Sequence, residues 1–281
     1  MPDPKDILFA VLCGVLPAIA AALVLFGVGG KRCLGLALGA ALFAAASLLK
    51  SAMPILPHVL YQGSNDYLQW LCWSVVAAGV LALPSGGRFP PVWLAVPIGL
   101  ALLGSEVWFM LTNLRGRMET GELVLKHGLP FLAMGFPWLA LARTAARRDG
   151  VALAIALGLC MCGDSAVLML GGSALLSQLA GTIAAVWITA AVTALWHRPL
   201  QLGVGSMLAF VAAHGGLLLA GAMFSELPYE LAAIAALAPA ALLVAGGQDG
   251  RAKLRLALSL VLILALYAGA VWLCWVAAHP V

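Results

Sequence analysis

Apolar residues in this chain neither alternate nor keep to one helical face; they run in nearly unbroken stretches separated by short polar breaks. In order, the stretches are Ile7–Val28, Cys33–Leu49, Tyr67–Leu83, Pro91–Asn113, Leu129–Ala145, Val151–Leu170, Ala174–Trp196, Leu202–Phe224, Tyr229–Ala245 and Leu254–Ala277. Lengths of about 17–25 residues suit a helix crossing a hydrocarbon core of about 30 Å. A β-barrel would instead need alternating segments of about 10 residues. The pattern predicts an all-α, polytopic transmembrane helical bundle of about ten spans, since helices satisfy their own backbone where no water reaches. No loop is long enough to fold separately, so residues 1–281 are expected to form a single integral membrane domain.

The division between Val151 and Trp196 rests on turn chemistry. Asp164 is the only charge there, and about 45 residues are too many for one crossing. Gly171-Gly172-Ser173 is the best turn signal between two full-length halves. Pro17, Pro97, Pro137 and Pro239 fall inside stretches and predict kinks. A five-plus-five inverted repeat would pair Pro97 with Pro239, and the loop charges add no further match.

Composition sharpens this picture. Charged residues are 9% of the chain and hydrophobic ones 64%. A soluble domain carries about 25% charged residues, so lipid is expected to cover most of this surface. No basic stripe with interleaved aromatics points to nucleic acid. The start, Met1-Pro2-Asp3-Pro4-Lys5-Asp6, is net acidic, unlike a secretory signal, and the first stretch is expected to be a retained span. Cys13, Cys33, Cys72, Cys160, Cys162 and Cys274 all lie in or beside apolar stretches and read as free thiols.

Loop charges set an orientation. One alternating set of loops holds Lys31, Arg32, Arg88, Arg143, Arg147, Arg148, Arg198, Arg251, Lys253 and Arg255; the other, with the N-terminus, holds Lys5, Lys50, Arg115, Arg117 and Lys126. The excess of Lys and Arg places the first set in the cytoplasm of a cell (plasma or inner) membrane and both termini outside. Loops Lys50–Asp66 and Leu114–Gly128 then become the largest outer loops. Trp70, Trp73, Trp93, Trp138, Trp196, Trp272 and Trp275 are expected near span ends, with Trp108 and Trp187 deeper.

Three ionisable residues stand inside expected spans: Glu106, Asp164 and His214. A central Asp costs about 2.5–3.5 kcal/mol on insertion scales, so such groups face a cavity or a partner. Similar distances from the outer span ends allow one shared polar cavity. A carboxylate beside a histidine can exchange protons near neutral pH. The alternative is structural, with Glu106 bonding a neighbouring helix, Asp164 capping the turn and His214 packing among glycines. Ser165, Ser173, Ser177 and Gln178 lie near Asp164 in sequence and would line the same site or join helices.

Gly163-Asp164-Ser165 is a G-x-S, and two stretches later comes Ala212-Ala213-His214-Gly215-Gly216. This pairing resembles the pattern of the rhomboid intramembrane serine proteases. The resemblance implies Ser165 as nucleophile and His214 as base. It covers about 60 residues of a pattern whose serine is normally followed by glycine, where this chain has Ala166. Aspartate-rich D-x-x-x-D, H-E-x-x-H and Walker-type motifs are absent, and no cofactor or metal is expected.

The leading expectation is a small-solute transporter or permease, proton-coupled if the three ionisable residues share a site. Glu106, Asp164, His214 and Gln178 would bind a small polar solute or a cation. A non-catalytic membrane subunit, held to other membrane chains by the same residues, is the alternative, and a serine protease-like enzyme is the third reading.

Overall fold

The computed structural model describes residues 34–49, 66–81, 92–110, 119–145, 150–197, 200, 202–246 and 252–278, with isolated positions between Leu12 and Leu23. Span Ile7–Val28 with Pro17, loop Lys50–Asp66 short of its last residue, and Cys13 and Cys33 therefore lie outside the described residues or are described at single positions. The described residues are helical apart from short turns. The helices are α1 (Leu34–Leu49), α2 (Asp66–Leu81), α3 (Val92–Met110), α4 (Thr120–Ala145), α5 (Gly150–Leu170), α6 (Ala174–His197), α7 (Val204–Phe224), α8 (Tyr229–Leu237) and α9 (Ala252–Ala278), with a 3₁₀ segment, Ala238–Gly246, continuing α8.

Among the described residues, four segments are long and apolar enough to cross a membrane: Gly150–Leu170, Ala174–Leu195, Gly205–Phe224 and Leu254–Val276. Ala37–Ala46, Tyr67–Leu81, Val96–Met110 and Tyr229–Leu243 are shorter apolar helices. The described residues thus form a helical bundle with four full-length candidate crossings, where ten were expected of the whole chain. Charge and breaks account for part of the difference. Helix α4 carries Glu122 in its first turn and Arg143 in its last. Tyr229–Ala245 is not one α-helix, because Pro239 lacks an N–H and the backbone tightens into the 3₁₀ segment.

The α5–α6 hairpin forms where glycines predict it. Gly172 has φ 81°, which glycine adopts without strain. The Gly172 N–H donates to Met169 O (3.2 Å) and the Ser173 N–H to Leu168 O (3.0 Å), a Schellman closure of α5. Ser173 Oγ then accepts from the Leu176 N–H (3.3 Å), capping α6. The next turn docks here, with the Glu226 N–H donating to Gly171 O (3.0 Å).

Two sequence expectations are corrected. Helix α4 begins at Thr120, so the second half of the expected loop Leu114–Gly128 is helix. A Glu122–Lys126 ion pair (2.6 Å), four residues apart with the acid first, supports that turn. Trp138, expected near a span end, is instead in the core, fully buried against Gly99 of α3, whose missing side chain leaves room for the indole.

Helix α7 is central. It is buried at nearly every position, as an all-round apolar helix must be, and it packs against α2, α4, α8, α3, α5 and α6. Helix α9 is peripheral and exposes Leu254, Leu258, Val261, Leu264, Trp272 and Leu273. Gly39 of α1 lets Val76 of α2 approach closely, the use expected of Gly35-x-x-x-Gly39.

Candidate functional site

Asp164 lies on the buried stripe of α5, which runs through Leu153, Leu157, Cys160, Met161, Asp164 and Val167–Leu168 at helical spacing. An apolar residue would continue that stripe; a carboxylate there must find donors. It finds two. His214 Nδ1 is 2.5 Å from Asp164 Oδ2, and the Tyr267 hydroxyl donates to Asp164 Oδ1 at 2.7 Å. The three side chains come from α5, α7 and α9 and are 0%, 1% and 5% exposed. Gly163 makes the Tyr267 contact possible, because a side chain at 163 would collide with the Tyr267 ring.

His214 is held on its other edge as well. Its ring stacks on Phe210 (5.3 Å between centroids, 12° between planes), and Phe210 meets Trp187 edge-on. Nε2 lies 3.3 Å from the carbonyl oxygen of Ala236, in the last turn of α8. A carbonyl only accepts, so Nε2 carries the hydrogen. That leaves one proton between Nδ1 and Asp164 Oδ2. The pair is either an imidazolium facing a carboxylate or a neutral imidazole facing a carboxylic acid, and in both forms it carries no net charge.

The location follows from the helix directions. Helices α5 and α7 run parallel: Gly150 packs on Leu200 at one end, and Gly171 bonds to Glu226 at the other. Asp164 stands six residues before Leu170, about 9 Å along the axis. His214 is at the midpoint of α7.

Glu106 does not join this set. Its carboxyl, 1% exposed, packs against Gly216 beside Leu71, and neither oxygen has a hydrogen-bond partner. Residues 214 and 216 are about 200° apart around a helix. Glu106 and Asp164 therefore approach α7 from opposite sides, and the single cavity expected for all three is not formed. Burying a lone carboxylate is costly unless a proton or a cation accompanies it.

Ser165 turns away from His214. Its hydroxyl reaches Ser177 of α6, 2.9 Å from the carbonyl and 3.0 Å from Oγ. Both His214 nitrogens are occupied, so the nucleophile–base pair implied by the rhomboid resemblance is not assembled. Ser165–Ser177 instead joins α5 to α6. Gln178 is partly exposed, and its backbone carbonyl accepts from Thr182 (2.9 Å); it lies outside the Asp164–His214–Tyr267 set. Cys72, Cys160, Cys162 and Cys274 are free thiols. Among the described residues no three of His, Cys, Asp and Glu converge as metal ligands.

Tyr267 is the residue that sequence reasoning missed. Its signal was available: Tyr61, Tyr67 and Tyr229 stand at or outside span edges, while Tyr267 stands inside the last stretch. A buried tyrosine hydroxyl needs a partner, and few polar residues could supply one.

Against α4, α7 and α8 lies an apolar crevice of about 30 Å³, bordered by Pro130, Met134, Gly215, Leu218, Ala232 and Ala236. No family model, curated protein or solved structure matches the chain.

Proposed function

We propose that the chain is a multi-pass membrane permease for a small solute, with the Asp164–His214 pair carrying a coupling proton. The observation behind this reading is a hydrogen-bonded carboxylate–imidazole pair buried in the middle of an apolar bundle. Intramembrane ionisable groups are expensive and are characteristic of proton relays. The pair also sits against the broken ninth stretch, and discontinuous helices are common at carrier sites. In this reading the ten apolar stretches are ten spans, with both termini outside a cell membrane. Glu106 is a second proton or cation site on the far side of α7, and the solute is small and polar or cationic.

The test is charge movement. The full chain is reconstituted in liposomes, adsorbed to a solid-supported electrode and given a pH jump. A transient current is expected in the wild type and not in Asp164→Asn. An equal current in both overturns the role of the pair. A loss of the slower part of the current in Glu106→Gln would support the second site.

A non-catalytic membrane subunit is the second reading, supported by the largely exposed apolar face of α9. The absence of any proton current, together with a stoichiometric co-purifying membrane chain, would favour it.

A further inference from the structure

We infer that the His214–Ala236 bond is a proton-controlled latch on the broken ninth stretch: loss of the proton shared by Asp164 and His214 releases the Ala236 carbonyl and frees the α8–3₁₀ junction. This rests on the proposed reading that the pair exchanges a proton.

The Ala236 carbonyl stands where the backbone changes register. The Ala238 N–H donates to Ala235 O, already three residues back. In that 3₁₀ register the donor for Ala236 O would be residue 239, which is Pro239 and has no N–H. His214 Nε2 supplies the missing donor from α7. The bond therefore satisfies the carbonyl left over by the break and ties the junction to the core helix.

Its dependence on the proton follows from counting hydrogens. With the shared proton present, Nδ1 and Asp164 Oδ2 have one between them and Nε2 has its own, so both contacts are satisfied. When the pair loses a proton, a neutral imidazole with one N–H faces two acceptors, a carboxylate and a carbonyl. A hydrogen bond to an ionised acceptor is roughly twice as strong as one to a neutral acceptor. The hydrogen goes to Nδ1, and Nε2 then presents a bare lone pair to the Ala236 oxygen. That contact turns repulsive. A narrow crevice bordered by Ala232, Ala236, Met134 and Gly215 separates α8 from α4 and α7 beside this contact, so the junction is not sealed against them.

The groups facing His214 are few. From α5 comes Asp164, with Cys160 one turn before it on the same buried stripe. From α9 comes Tyr267, acting through Asp164. From α3 comes Glu106, against Gly216. The contacts from α4 at Gly215 (Met134), from α2 at Gly216 (Leu71) and from α6 through Phe210 (Trp187) are not ionisable, α1, which also packs on α7, carries no ionisable residue, and α8 contributes only the carbonyl. Among the described residues Asp164 is thus the one ionisable group bonded to the ring.

The test uses the full chain in lipid nanodiscs, labelled with ¹⁵N-histidine and with trifluoromethyl-phenylalanine in place of the exposed Leu237. The His214 signal is assigned by its loss in His214→Gln. As pH rises, Nε2 is expected to pass from protonated to bare, and the fluorine shift at 237 to move with the same midpoint. Pro239→Ala restores a backbone donor, so it should abolish the fluorine response while His214 still titrates. Nε2 losing its hydrogen while the fluorine signal stays fixed overturns the latch and leaves the proton site standing. Nε2 protonated throughout the range in which the fold persists overturns both. A fluorine response surviving unchanged in Pro239→Ala also overturns the latch.

Discussion

Replacing His214 with alanine should destabilise the bundle more than replacing His214 and Asp164 together. The single change leaves the Asp164 carboxyl at 0% exposure with Tyr267 as its remaining side-chain donor. Asp164 must then stand as an unpaired charge or take up a proton. Removing one member of a buried pair costs about 3–5 kcal/mol. Loss of the ring stack on Phe210 adds about 0.5–1.5 kcal/mol. The Ala236 carbonyl loses its His214 contact in both variants, so that cost cancels. Removing Asp164 as well takes away the charge and leaves the Tyr267 hydroxyl unpaired, at about 1–3 kcal/mol. The double variant Asp164→Ala/His214→Ala should therefore be no worse than His214→Ala, and about 2 kcal/mol better at the middle of these ranges. Unfolding of the four chains by sodium dodecyl sulfate in mixed micelles, followed by tryptophan fluorescence, gives the cycle. Additive single costs, each below about 1 kcal/mol, would refute the pairing, because residues in direct contact couple and independent ones do not.

Three further outcomes can be read in the same assay. Tyr267→Phe removes one interhelical hydrogen bond and should cost about 0.6 kcal/mol and no more than about 1.7 kcal/mol, the range for such bonds in lipid; a loss above 3 kcal/mol would mean that the hydroxyl does more than satisfy Asp164. Gly172→Ala forces a side chain into the left-handed region and should cost about 1–2 kcal/mol, with Gly172→Asn milder. Glu106→Gln exchanges an unpartnered buried carboxyl for a neutral amide of the same size and should change stability by less than about 1 kcal/mol; a large loss would show that Glu106 is held by a cation.

The helices were legible because their signal is compositional and continuous. Six of the expected stretches fall within two residues of α1, α2, α5, α6, α7 and α9 at both ends. The α5–α6 turn was legible for a local reason, since only glycine suits the conformation of Gly172. Helix α4 was misjudged at its start because Glu122 and Lys126 look like loop residues to a hydropathy reading, yet at four-residue spacing they stabilise a helical turn. The ninth stretch was misjudged in kind. Pro239 predicted a kink, but hydropathy cannot say that the backbone would change its hydrogen-bond register beyond it.

The site divides along the same line. Cost alone singled out Asp164, Glu106 and His214, and cost is a property of residue type and depth. Which of them meet is a property of azimuth. Both α5 and α7 are apolar on nearly every side, so neither sequence displays a face, and shared depth was all that could be compared. Azimuth decides that His214 points to Asp164 while its near neighbour Gly216 receives Glu106. The small residues around the site had been read as packing. In the fold Gly163 clears the path of Tyr267 and Gly216 makes room for Glu106, so the glycines determine which polar side chains reach the buried positions. In a chain this apolar, the positions without side chains do as much to define the site as the three ionisable residues, because a few ångströms of approach separate a satisfied carboxylate from an isolated one.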